Sequence, residues 1–151
     1  MKAGMTVLVV TLLVAAAAVP AAARGAVSCH SINAKGFGQD LGGGQTTAQI
    51  IGGGLLHGTT QASFVIIGFS GTVASFEGTI VFTVNKATLT AEVSGTLDVA
   101  TGEFNATTSS ISGTGKLEGA TGSLSFNGVE DLSTGSFTED VTGEVCADLS
   151  P

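Results

Sequence analysis

From Thr59 to Asp98 apolar and polar residues alternate through three successive runs. Thr59 to Ile67 sets Ala62, Phe64 and Ile66 on one side. Phe76 to Val84 sets Phe76, Gly78, Ile80, Phe82 and Val84 together, and Thr88 to Asp98 does the same for Leu89, Ala91, Val93, Gly95 and Leu97. Successive side chains of a strand point to opposite faces, so a period of two marks strands with one buried face. The last two runs also fix each other's register. With Asn85-Lys86 as a two-residue turn, Asn85 takes the positive φ that a tight hairpin turn requires. Phe82 then faces Leu89, Ile80 faces Ala91, Gly78 faces Val93 and Phe76 covers Gly95. The polar partners match as well, Thr83 with Thr88 and Thr79 with Glu92. A slip of one residue would put both sets on the wrong faces.

The rest of the composition agrees. There are 23 glycines, only 2 prolines, no Trp and no Tyr, in a chain rich in Thr, Ser, Val and Ala. Strand-forming residues punctuated by glycine give strands and turns, and no segment reads as a helix. The Phe and aliphatic content is too high, and the charge too low, for a disordered chain. Seven or eight antiparallel strands at short spacing predict an all-β fold, a closed barrel or, alternatively, a β-sandwich. Residues 24–58 are the least regular part. Gly42-Gly43-Gly44 and Gly52-Gly53-Gly54 read there as loops around one or two short strands, one of them Thr46 to Ile51. Residues 59–151 form the main part of the single domain.

The N-terminus reads as a signal peptide over residues 1–23. Lys2 gives the positive start, Val7 to Val19 the apolar run, and Ala21-Ala22-Ala23 after Pro20 the small-residue cleavage site. The run is too short to span a bilayer comfortably, and no second segment could cross one. These features predict a protein that is extracellular or periplasmic. What remains can bury roughly two thirds of its surface on folding. The net charge of −7 repels nucleic acid and anionic membrane surfaces and otherwise serves solubility.

Two cysteines, Cys29 and Cys146, lie near the two ends of the exported chain. In an oxidising compartment they predict one disulfide joining first strand to last. Closing a loop of that size is worth roughly 4 to 5 kcal/mol in the chain-entropy model. Lipidation of Cys29 is the rival reading, but Ala26-Val27-Ser28-Cys29 lacks the large aliphatic residue that signal uses. A metal centre from Cys29, Cys146, His30 and His57 has no tight ligand spacing, and neither metal nor cofactor is expected.

An internal repeat follows. Gly95-Thr-Leu-Asp98-Val-Ala-Thr101-Gly102-Glu-Phe104 matches Gly128-Val-Glu-Asp131-Leu-Ser-Thr134-Gly135-Ser-Phe137 at five of ten positions. Each copy reads as strand, short turn with a left-handed glycine, strand. Either a duplication or convergent turn chemistry accounts for it. Between the copies, Gly113-Thr-Gly-Lys-Leu-Glu-Gly-Ala-Thr-Gly122 resembles the Gly-Thr-Gly-Lys-Phe…Ala…Gly segment of the dirigent and allene oxide cyclase superfamily. The resemblance implies an eight-stranded antiparallel barrel with a ligand-sized apolar interior. It also implies activity on, or steering of, hydrophobic small molecules, with trimers in some members. The chain departs from the plant proteins in having no Tyr, and no catalytic residue carries over.

Glu130 and Glu139 are the acid/base candidates. Applying the hairpin register to the repeat puts Glu130 opposite Phe137 and Glu139 opposite Gly128, on the face that holds Leu124, Phe126 and Val141. The two would be diagonal neighbours roughly 7 to 8 Å apart. Desolvated and mutually repelling, one of them should keep its proton near neutral pH. The plain alternative is that both sit at the barrel mouth, in water, or that a bulge turns them outward. Other motifs fail. Gly68-Phe-Ser70-Gly71 lacks the last glycine of a nucleophile elbow, and Gly113-Thr-Gly-Lys has the wrong spacing for a phosphate loop. Asn105-Ala-Thr107 fits a glycosylation sequon. Val65, Ile67 and Val81 fall on outer faces, as scattered surface residues or as a homo-oligomer contact. Three functions are thus in play: binding of a hydrophobic small molecule, a structural role through self-association, and catalysis of a cyclase or isomerase reaction on a lipophilic substrate.

Overall fold

Eight strands follow one another, each paired antiparallel with the next, and the last returns to the first. The computed structural model describes residues 25–149; the signal peptide read at residues 1–23 lies outside them. The strands are β1 (Ser28–Gly42), β2 (Gln45–Gly52), β3 (Gly58–Ser70), β4 (Val73–Val84), β5 (Ala87–Asp98), β6 (Glu103–Gly113), β7 (Thr121–Asp131) and β8 (Ser136–Ala147). β1 pairs with β8 and closes the ring. The sandwich alternative is therefore excluded, since a sandwich would leave two sheets with open edges. No helix among the described residues is long and apolar enough to cross a membrane.

The β4–β5 hairpin has the register expected from its alternation. Phe82 pairs with Leu89, Ile80 with Ala91, Gly78 with Val93, Phe76 with Gly95 and Thr79 with Glu92, and Asn85 turns at φ 55°. The repeat is two copies of one turn. Asp98 accepts at its backbone oxygen from Gly102 (2.7 Å) and at Oδ1 from Ala100 (2.9 Å). Asp131 accepts likewise from Gly135 (2.7 Å) and Ser133 (2.9 Å). Gly102 and Gly135, at φ 78° and 73°, supply the left-handed residue that each turn needs.

The N-terminal segment departs from expectation. The strand read at Thr46 to Ile51 is β2, set between left-handed glycines at residues 42–44 and 52–54, but the residues before it are no short strand: β1, with 15 residues, is the longest strand of all. Its inward positions are Ile32, Ala34, Gly36 and Gly38, and the last two are small because β8 fills the space in front of them. A Cβ on Gly38 would lie 2.1 Å from the ring of Phe137, and one on Gly36 would lie 2.5 Å from Glu139 Cγ. Gly128 makes the same accommodation for Phe104, whose ring tip would be 2.4 Å from an added Cβ. Large side chains lying across glycines of the neighbouring strand let a narrow barrel close without overpacking.

The two ends of the barrel differ. At one end, single 3-10 turns at Gly54–Leu56 and Gly115–Leu117 drop Leu56 and Leu117 into the interior, where both are fully buried with Leu89, Val84, Val145 and Ala147. The Gly113–Gly122 stretch is the β6–β7 connection that carries this plug. Cys29 and Cys146 are bonded to each other at this end, across the β1–β8 seam. The disulfide leaves no thiol at Cys29 for a lipid. It also involves both sulfurs of the Cys29–Glu144–Cys146 group, the one close set of metal-type ligands among the described residues.

Candidate ligand cavity at the open end of the barrel

The opposite end carries the four hairpin turns β1–β2, β3–β4, β5–β6 and β7–β8, and it has no plug. The interior here is a cavity of about 270 Å³, just below the usual range for drug-sized ligand sites and so suited to a small molecule. Two edge-to-face aromatic pairs form its walls, Phe64 with Phe76 (centroids 5.2 Å apart) and Phe104 with Phe137 (5.9 Å). Ala62, Ile80, Ala106 and Phe126 line its deeper part. Phe126 rests on the buried ring of Phe82, 6.2 Å away, which belongs to the filled half of the barrel.

Glu130 and Glu139 both line this cavity. The repeat-derived register is the observed one: Glu130 pairs with Phe137, and Glu139 with Gly128 on β7 and Gly36 on β1. Gly36 lets the Glu139 side chain lie against the β1 wall, while the space over Gly128 is taken by Phe104. No hydrogen bond or ion pair from the described residues reaches either carboxylate, so neither gains a partner for the water it gives up. Burial pushes the Glu139 carboxyl up from 4.5 to about 7. Glu130 is raised by burial first and by the Asp40 carboxylate second. Mutual repulsion between the two glutamates is thus not what shifts them. The missed partner is Asp40, which lines the same cavity from the end of β1. Its signal in the sequence was the continuation Ile32, Ala34, Gly36, Gly38, Asp40, a strict every-second-residue series hidden by the small size of its members.

The remaining candidates lie elsewhere. His57 is exposed just before β3. Ser70 is exposed at the end of β3, and Asn105 sits exposed within β6, its Nδ2 donating to Thr96 at 2.9 Å. The polar side chains lining the cavity are Asp40, Thr46, Thr60, Glu130 and Glu139; no Ser, Cys, His, Lys or Arg joins them, and the lining holds no base–nucleophile pair.

Fold and cavity together define a closed, up-and-down, eight-stranded antiparallel barrel with an aromatic, acid-lined cavity at one end. Comparison with protein-family models, curated proteins and solved structures found no match.

Glu139 gives the barrel a distinctive pH dependence. A carboxyl whose pKa is higher folded than unfolded keeps a proton that the unfolded chain releases. Its contribution is therefore intact below pH 4.5, is lost as pH rises through the window up to about 7, and is constant above that. The loss amounts to up to about 3 kcal/mol. Glu139→Gln removes it: in urea unfolding the variant should match the parent at pH 4 and exceed it at pH 8 by up to about 3 kcal/mol. Equal stability at both pH values would show that water reaches the carboxyl freely.

Proposed function

We propose that this is an exported barrel that binds a small hydrophobic molecule in the open half of its interior. The observation that carries the reading is the asymmetry of the core: one half is packed to completion around Phe82, Leu56 and Leu117, while the other half keeps a cavity walled by phenyl rings. Cores are normally filled to crystal-like density, and a void that lacks a purpose costs stability. The leader at residues 1–23 and the disulfide support export. Membership in the dirigent and allene oxide cyclase superfamily, through Gly113–Gly122, is part of the same proposal, and the eight-stranded closed barrel is the architecture that resemblance implies.

A neutral apolar fluorophore tests the reading. N-phenyl-1-naphthylamine should bind saturably, one per barrel, with the emission rise of transfer out of water. Ala62→Phe, which fills the cavity from β3, should abolish that binding while the barrel still melts cooperatively. Unchanged binding in Ala62→Phe would place the dye outside the interior and sink the reading.

Self-association is the second reading, favoured by one feature. Along β3, Val65, Ile67 and Phe69 are 66%, 58% and 67% exposed, an apolar run on the outside of the barrel. Sedimentation of the parent and of Val65→Thr/Ile67→Thr separates the two: a homo-oligomer would dissociate in the variant, and a monomer at high concentration would remove this reading.

A further inference from the structure

The cavity is apolar in its walls and acidic in its charge. Asp40 from β1, Glu130 from β7 and Glu139 from β8 line it together with Phe64, Phe76, Phe104, Phe126 and Phe137, and no cationic side chain does. Lys35 pairs with Asp140 on the outer face of β1 and β8, away from the cavity. The register orders the interior by depth. Asp40, Glu130 and Phe137 stand near the mouth. Glu139, Gly36 and Gly128 form the next layer, and Phe126 and Val141 lie below them.

We propose that the ligand is a hydrophobic amine: an apolar tail that reaches toward Phe126 and Ile80, and a protonated nitrogen held at the carboxylate layer. This rests on the binding reading above and specifies its ligand. Three arguments support it. First, the Glu130 and Glu139 carboxylates have no hydrogen-bond or ion-pair partner among the described residues, whereas Asp40 Oδ1 accepts from the Gly42 amide (2.7 Å). A cation stabilises such unpartnered groups, and low-dielectric walls strengthen that attraction. Second, phenyl faces add cation–π attraction for a nitrogen beside them, and the attraction strengthens when the site is desolvated. Third, an acidic ligand such as a fatty acid would bring like charge into the same layer, at a cost. Glu139 is also the group that the ligand would ionise. The elements packed on β8 present His30, Lys35 and Asp40 from β1 and Glu130 and Asp131 from β7, while β8 itself adds Asp140 and Glu144. Of these only Asp40 and Glu130 line the cavity, so an entering cation is the one positive charge available to Glu139 there. Uptake of the amine at pH 7 should then release about half a proton from Glu139.

Three probes with one tail decide it: n-octylamine, octan-1-ol and octanoate, titrated calorimetrically into the protein at pH 7 in two buffers of different ionisation enthalpy. The amine should bind at least tenfold more tightly than the alcohol, with octanoate weakest and with the proton release seen as a buffer-dependent heat. In Glu130→Gln/Glu139→Gln the amine's advantage should fall at least tenfold while the alcohol binds as before. An alcohol that equals the amine overturns the amine proposal and leaves the binding reading standing. Octanoate as the tightest ligand overturns it too, because Glu139 would then act as a protonated donor. An amine advantage that survives in the double variant assigns it to surface acids and overturns the proposal as well. If none of the three binds, the binding reading falls and takes the proposal with it.

Discussion

Reduction of the Cys29–Cys146 disulfide should lower the stability of the barrel by about 5 kcal/mol, the largest single loss any small change to this chain should cause. The reason lies in the order in which the barrel is joined. Seven of its eight strand pairings connect neighbours in sequence, so each closes only a short loop. The eighth, β1 with β8, brings together residues separated by 117 positions, and its loop-closure entropy falls on the unfolded chain unless a covalent link has already closed it. Cys29 and Cys146 are directly opposed in that seam, so the bond holds the pairing that makes the sheet a barrel. Urea unfolding with and without reductant measures the effect, and Cys29→Ser/Cys146→Ser should reproduce it. A loss below about 1 kcal/mol would mean that the unfolded chain already keeps its ends close, and that the entropic account fails here.

The same distinction between near and distant partners explains what could be read from the sequence. The β4–β5 register was legible because every determinant lies within one hairpin: large inward residues at strict alternation, Asn85 in the turn and matched polar partners outside. The Asp98 and Asp131 turns were legible for the same reason, and through them the inward placement of Glu130 and Glu139. β1 was not. Its inward Gly36 and Gly38 carry no hydrophobic signal of their own, and they face inward because Glu139 and Phe137 of β8, a hundred residues on, lie across them. Asp40 was lost with β1, and with it the charge that acts on Glu130. Barrel against sandwich was likewise a question about the β1–β8 seam. The two cysteines pointed to it, but alternation within strands fits both folds. That Glu139 would be desolvated followed from its face; how strongly followed only from Gly36 of β1, across which the side chain lies.

Phe126→Ala should cost about 3–5 kcal/mol and, in the same molecule, change which ligands fit. Phe126 is 2% exposed and stands at the boundary between the two halves of the interior. Its lower side packs against Phe82, and its upper side forms part of the cavity lining. Truncation removes the transfer energy of a buried ring together with the ring pair, which adds about 0.5–1.5 kcal/mol beyond area alone. A barrel wall cannot collapse into the gap as a loop might, because each strand is held by ladder hydrogen bonds on both sides, so the space should persist. Denaturation of the variant measures the first effect. A series of alkylamines or alcohols of increasing chain length measures the second, with the optimum shifting to longer tails. Phe126→Leu, which keeps most of the volume, should lose much less stability and leave the optimum near the parent's. A stability loss without any shift in chain length would mean that the gap closes, and that the cavity is bounded by strands free to move inward. A shift in chain length at the expected loss would show that the packed half and the open half of the barrel are separated by one phenyl ring, so that the depth of the site and the stability of the fold are set by the same side chain.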